Sequence, residues 1–103
     1  MKTKFGNGLF ESSDDGNIFF TEEGLKEFGP LFVCEPLVET GAKVNARTKL
    51  FCVEGLNMLS CIKSPFKNGY VTKVAEWPCP SEIKAGVSII TIKTEGSDAL
   101  PSL

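Results

Sequence analysis

A weak internal repeat is the feature that most constrains the fold, because β-type segments recur at an offset of about 40 residues. Residues 29–34 correspond to 69–74, and residues 44–53 correspond to 83–92. Glycine-containing turn signals separate the apolar runs within each half. Two such halves can bury their apolar faces against each other as packed sheets. We therefore predict a mostly β fold, a flattened antiparallel barrel or sandwich of two quasi-symmetric halves.

Before the repeat, the sequence predicts one strand and one short helix. Residues 17–20 form an apolar, aromatic run that follows a polar turn over residues 12–16. Thr21 is a good helix N-cap, and Gly29 can end the helix after about two turns. Gly24 lowers the intrinsic helix propensity, so packing must hold the helix in place.

Composition predicts one small soluble domain. With 103 residues and a hydrophobic fraction of 42%, the chain can close one modest core, which we assign to residues 1–93, with a tail over 94–103. The net charge of -2 and the scattered lysines argue against nucleic-acid binding. No apolar run approaches the roughly 20 residues that cross a bilayer, and no signal-peptide core follows the first residues. We expect a cytoplasmic protein without membrane contact.

The spacing of the cysteines and the absence of histidine do not predict a metal centre or an enzyme. The four cysteines contain no C-x-x-C pair, and the chain has no histidine to complete a zinc site or a catalytic triad. Cys34, Cys52 and Cys61 lie in apolar or β-type stretches and are predicted to be small core residues. Cys79 lies between two prolines and is predicted to be accessible. Trp77 is predicted either to anchor a surface contact or to cap the core.

A set of framework residues resembles, in order and spacing, the glycine cleavage H-proteins and related lipoyl or biotinyl carrier domains. These residues are Thr21, Gly24, Phe28, Gly29, Pro36, Gly41, Val44, Gly69 and Val71, together with residues 53–54 and 60–65. The resemblance covers roughly residues 14–93. It implies a barrel-sandwich hybrid in which residues 53–58 form the attachment hairpin, a hinge between the halves that projects into solvent.

Asn57 occupies the position at which these carriers have the modified lysine. A carboxamide nitrogen is not a nucleophile, because its lone pair is delocalised, so Asn57 cannot accept a lipoyl or biotinyl group. Asparagine is also common in tight turns, where it tolerates the left-handed conformation. The residues around this degenerate site are candidates for a partner surface: Glu54, Gly55, Leu56, Met58 and Leu59. The alternative is that the apolar members, Leu56, Met58 and Leu59, cover the end of the barrel.

Three functional hypotheses follow from the sequence. The first is a non-catalytic, H-protein-like domain without cofactor that acts through protein contacts, with glycine cleavage or lipoylation enzymes as candidate partners. The second is a working carrier of aminomethyl groups in which lipoate is attached to Lys63 or Lys49 instead. The third is a β-sheet interaction module that is unrelated to lipoate. The sequence does not indicate the oligomeric state.

Overall fold

The computed structural model describes residues 1–76 and 79–94, and this part of the chain is mostly β, with two antiparallel sheets and one short helix. Trp77 and residues 95–103 of the predicted tail lie outside the described residues. The strands are β1 (Lys2–Phe5), β2 (Phe10–Ser13), β3 (Asn17–Phe20), β4 (Leu31–Pro36), β5 (Lys43–Asn45), β6 (Lys49–Gly55), β7 (Leu59–Lys63), β8 (Asn68–Val74) and β9 (Ile90–Thr94). The helix α1 spans Glu22–Phe28, and a single 3-10 turn spans Pro80–Glu82.

The strand pairing follows the internal repeat. The first sheet has the order β1-β2-β3-β9-β8-β5, and the second has the order β4-β6-β7. Strand β4 pairs antiparallel with β6, and at the corresponding place of the second half β8 pairs antiparallel with β9. The prediction of two antiparallel sheets is therefore confirmed.

One core joins the two sheets and the helix. Its aromatic centre is Phe10, which lies 4.8 Å from Phe20, 5.4 Å from Phe51 and 6.1 Å from Phe28 between ring centroids. These four side chains are fully buried. Aromatic rings at such separations add specific edge contacts to the burial of their area. The second sheet is fixed to the first through this cluster, because Phe51 belongs to β6.

The predicted helix is confirmed, together with both of its ends. The Thr21 hydroxyl accepts a hydrogen bond from the Gly24 N–H (2.9 Å) and donates one to the Gly8 carbonyl (2.8 Å). Gly29 ends the helix at a φ of +73°, a left-handed conformation that favours glycine. A Cβ at Gly24 would lie 2.1 Å from the Leu9 carbonyl oxygen. Gly24 therefore allows α1 to pack closely against the chain before β2, at the cost of helix propensity.

The N-terminal hairpin is a feature that the sequence did not predict. Strands β1 and β2 pair antiparallel, and Ser12 and Ser13 belong to β2, so the prediction that they begin a polar turn is wrong. The turn lies at the following residues, where the Gly16 N–H bonds the Ser13 carbonyl at 3.0 Å. Within residues 1–76 and 79–94, no helix is long and apolar enough to cross a membrane.

Candidate functional site

The predicted attachment turn is the tip of the β6–β7 hairpin, and it is docked against the end of α1. The Gly55 N–H bonds the Met58 carbonyl at 2.9 Å and closes the turn. The amides of Leu56 and Asn57 donate to the carbonyls of Pro30 and Phe28, both at 2.9 Å. The tip residues Leu56 and Asn57 are exposed to solvent, as expected, but two backbone hydrogen bonds also hold the tip on residues 28–30.

Two glycines permit this close approach. A Cβ at Gly55 would lie 2.4 Å from the Phe28 carbonyl oxygen, and one at Gly29 would lie 2.7 Å from Asn57 Nδ2. The backbone contact excludes a side chain at Gly55, whereas at Gly29 the Asn57 side chain can move and it is the positive φ that favours glycine. Gly55, which we predicted as part of a partner surface, is in fact buried and serves as a spacer between hairpin and helix.

Asn57 is exposed at the tip, and its backbone does not require asparagine. Among the described non-glycine residues, a positive φ occurs at Asn7 alone (60°), so Asn57 is outside the left-handed region. The explanation of Asn57 as a left-handed turn residue is therefore wrong. Its side-chain amide lies over Gly29, beside the end of the helix.

Large apolar side chains surround the tip on the outer face of the second sheet. Leu56 and Leu59 are 65% and 68% exposed, as the sequence hypothesis of a partner surface requires. Strand β4 adds Phe32 and Val33, which are 56% and 38% exposed. We call this group, with Glu54 at its centre, the tip surface: Phe32, Val33, Glu54, Leu56 and Leu59. Met58 is not part of it, because its side chain packs against the core.

A β-bulge in β4 contributes two of the five residues of the tip surface, Phe32 and Val33. The register of β4 against β6 shifts between Leu31 and Val33, so that Val33 lies opposite Glu54 and Glu54 lies opposite Leu59 on β7. A bulge places two consecutive residues against one partner, and here Phe32 and Val33 are both exposed. Sequence reasoning missed these two residues, although an apolar run without alternation was a possible signal.

Lys49 and Lys63, the alternative acceptors, lie opposite each other at the far end of the hairpin. Both are exposed, but they belong to strands and not to the turn that carries Asn57. The structure therefore brings the two lysines together and keeps them away from the tip.

Cys52 and Cys61 form a disulfide bond across β6 and β7, with 4.0 Å between their Cα atoms. They are directly opposite in the register, and Cys61 is exposed while Cys52 is half-buried. The prediction that both are core residues is wrong, because the register turns them to the outer face. The two cysteines are equally far along the sequence from the middle of the turn at residues 56–57, and this symmetry was a sequence signal for the pairing.

The other two cysteines are free thiols. Cys34 packs against the core beside Val53, and burial raises the pKa of its thiol to about 11. A thiol that ionises only at such pH is a poor nucleophile near neutrality. Cys79 is half-buried, and its sulfur lies 2.9 Å from the Ser81 hydroxyl oxygen.

A groove of about 620 Å³ separates the N-terminal hairpin from the outer edge of the second sheet. Phe5 and Leu9 line one side, and Cys61, Ile62 and Lys63 line the other. Cys61 therefore borders this groove, whereas Cys52 does not line it. No group of three or more His, Cys, Asp or Glu side chains that could hold a metal ion occurs in the described part of the chain.

Comparisons with known proteins add no assignment to this geometry. No protein-family model matches the chain, and no curated protein matches its sequence.

Proposed function

We propose that this chain is a non-catalytic domain of the H-protein-like, lipoyl/biotinyl class, a flattened barrel-sandwich hybrid that carries no lipoyl group and acts through protein contacts. The observation that supports this proposal is the hairpin tip, where an exposed asparagine stands between apolar side chains that face solvent. We place the domain in the cytoplasm, with glycine cleavage or lipoylation enzymes as its candidate partners.

The tip surface supports a binding role because it exposes several large apolar side chains. Leu56, Leu59 and Phe32 are each more than half exposed. Scattered apolar residues are common on protein surfaces, whereas a contiguous group marks an interaction site. A single acidic residue, Glu54, lies in the middle of this group.

The residue at the tip of the turn, Asn57, also argues against covalent attachment of a lipoyl group. Acylation of a carrier domain needs an amine in an exposed, defined turn, and the turn here offers a carboxamide. The two exposed lysines of the hairpin, Lys49 and Lys63, lie at its opposite end. A carrier that uses one of these lysines is the alternative that the first experiment addresses.

The first experiment is an acylation assay with octanoyltransferase and with lipoate ligase, followed by intact-mass measurement. We expect no adduct on the unchanged chain and a single adduct on the Asn57→Lys variant. An adduct on the unchanged chain would contradict the proposal, and peptide mapping to Lys63 or Lys49 would favour the alternative carrier. An unmodified Asn57→Lys variant would show that the surface read by the ligase is also absent.

The second experiment measures binding to purified glycine cleavage and lipoylation enzymes of the host. We expect the double variant Leu56→Ser/Leu59→Ser to lose about tenfold or more in affinity, because it removes buried apolar area at an interface centre. The matched control is Leu37→Ser, which changes a leucine that is 45% exposed and outside the tip surface. The absence of binding to any of these enzymes would favour an interaction module that is unrelated to lipoate.

A further inference from the structure

We propose that the Cys52–Cys61 disulfide is a redox-active site that is reduced in the folded protein by thiols bearing a carboxylate. This inference goes beyond the proposed function, because it concerns a reaction of the hairpin itself and requires no protein partner. It rests on three observations: the exposure of one sulfur at a sheet edge, a pair of lysines beside it, and a sheet that does not depend on the bond.

The disulfide lies where a thiolate can approach it. Cys61 is exposed on β7, an edge strand of the second sheet, and it lines the groove between that edge and the N-terminal hairpin. Cys52 is on the central strand, with Glu35 opposite it on β4. An anionic thiolate meets a carboxylate on the Cys52 side and an open edge on the Cys61 side. Attack on the Cys61 sulfur is therefore favoured.

The two lysines favour negatively charged thiols on the Cys61 side of the disulfide, whereas Glu35 and Glu54 disfavour them on the Cys52 side. Along the outer face of the hairpin, three pairs of opposite residues follow one another: Lys49 with Lys63, Cys52 with Cys61, and Glu54 with Leu59. Lys49 and Lys63 are exposed, and Lys63 also lines the groove. Two like charges placed directly opposite each other destabilise a sheet. A bound carboxylate relieves this repulsion and is attracted to both lysines at short range.

The same positive charge favours the products of the reaction. Cations next to a cysteine stabilise the thiolate and so increase the fraction of the form that leaves or attacks. Cys61 is two residues from Lys63 on the same strand, so both side chains point to the same face. Cys34 does not compete in this exchange, because its thiol packs against the core and its pKa is raised.

The fold keeps the two cysteines in place after reduction, so that the disulfide can form again. The bond closes a loop with a sequence separation of nine residues, which the hairpin ladder and the turn hydrogen bond also close. A short loop gains less from a cross-link in the unfolded chain than a long loop does. The inner face of the hairpin remains anchored through Phe51, Val53 and Ile62 after reduction, so the two thiols stay opposite each other.

The reaction balances as two thiol exchanges. The thiolate of the first molecule attacks the Cys61 sulfur, forms a mixed disulfide, and releases Cys52 as a thiolate that takes up a proton. The thiolate of a second molecule attacks the external sulfur of the mixed disulfide and releases Cys61, which is then protonated. Two thiols are oxidised to one external disulfide, and the protein disulfide is reduced to two thiols.

The test compares two small thiols on the oxidised, folded full chain: 3-mercaptopropionate, which carries a carboxylate, and 2-mercaptoethanol, which is neutral. The Cys79→Ser background removes the partly accessible thiol, and alkylation with peptide mapping follows Cys52 and Cys61. Rates are expressed per thiolate. We expect both thiols to reduce the bond while circular dichroism shows the native sheet. We also expect Lys49→Gln/Lys63→Gln to lower the ratio of the anionic to the neutral rate by about three- to tenfold.

The control variant Lys73→Gln/Lys93→Gln removes the same charge from the first sheet, at exposed positions on β8 and β9, and should leave the ratio unchanged. A disulfide that forms but is reduced only in denaturant, or a ratio that does not respond to the loss of Lys49 and Lys63, overturns the proposal. Failure of the two cysteines to form a disulfide under mild oxidation overturns it as well. None of these outcomes affects the acylation assay, so the two proposals fail separately.

A second measurement separates the two sulfurs. In the single variants Cys52→Ser and Cys61→Ser, the remaining cysteine is exposed to the disulfide of 3-mercaptopropionate, and formation of the mixed disulfide is followed by intact mass. We expect Cys61 to react several-fold faster than Cys52, because it lies at the edge and beside Lys63. Equal rates, or a faster Cys52, would contradict the assigned direction of attack.

Discussion

The two faces of the β6–β7 hairpin differ in what they contribute. The inner face is apolar and buried, with Phe51 and Val53 at 0% exposure and Ile62 at 5%. The outer face carries paired lysines, a disulfide and the apolar tip surface. Strand geometry imposes this separation, because successive side chains point to opposite faces.

In this hairpin, the register of the strands determines which side chains are buried in the core and which are exposed on the outer face. The inner face fixes the hairpin in the core and so defines where every outer side chain stands. Substitutions of exposed outer side chains away from the disulfide are expected to change stability by little. Substitutions at inner and outer positions of the same strands should therefore have effects of very different size.

The largest expected effect on stability comes from removing the aromatic ring of Phe51 on the inner face. Phe51→Ala should lower the free energy of unfolding by about 3–5 kcal/mol, because it leaves a cavity next to Phe10 in the aromatic cluster. Urea denaturation measures the change. The outer-face control Leu59→Ala, at a residue 68% exposed, should stay within about 0.5 kcal/mol of the unchanged protein. Similar losses in both variants would contradict the distinction between the inner and outer faces.

The next effect concerns the contact between hairpin and helix. In Gly55→Ala, the new methyl group meets the Phe28 carbonyl oxygen, and the free energy of unfolding should fall by about 1–3 kcal/mol. Hydrogen exchange at the Leu56 and Asn57 amides should accelerate, since their hydrogen bonds to residues 28–30 would be lost. Glu54→Ala, at the neighbouring exposed position, is the control and should leave this exchange unchanged.

A smaller effect on the free energy of unfolding is expected at alkaline pH, where the inner thiol of Cys34 can ionise but the outer disulfide of Cys52 and Cys61 cannot. Burial raises the pKa of the Cys34 thiol from 9.0 to about 11, so between these values the unfolded chain ionises while the folded chain keeps its proton. Stability should therefore fall as pH rises from about 9 to about 11. Denaturation curves of Cys34→Ala should show a shallower fall over this range. An identical pH dependence in the variant would contradict the assignment.

The smallest effect is expected at the tip. Asn57→Lys should change the free energy of unfolding by less than about 0.5 kcal/mol, because the side chain is exposed and the backbone is outside the left-handed region. Thermal denaturation of the variant is the measurement. A large loss would mean that the amide over Gly29 has a structural role, and it would also complicate the acylation assay.

Local signals in the sequence were sufficient for several elements of the fold. Strand β3 and helix α1 were predictable because an aromatic run, an N-cap and a terminal glycine act within a few residues of each other. Strand β2 was not predictable from its own residues, since it ends in two serines that usually favour turns. It is a strand because it pairs with β1 and β3 on both sides.

The site was predictable only in its outline. The position of the turn and an exposed apolar residue beside Asn57 followed from the sequence, but which of Leu56, Met58 and Leu59 are exposed and which face each cysteine occupies did not. Irregularities in β4 and β6, between Leu31 and Val33 and between Lys49 and Phe51, change which residues share a face. A single inserted residue reverses the alternation beyond it. The sequence pattern alone does not locate such a shift.

The two hydrogen bonds between the tip amides and residues 28–30 have a thermodynamic consequence for any partner. Association normally costs free energy to order the loops that take part in it. Here the turn is preorganised, since folding has already fixed its backbone, and a partner finds Leu56 and Leu59 on a rigid support. Calorimetry of binding should therefore show little entropic penalty from the hairpin, and the Gly55→Ala variant should bind with a larger one.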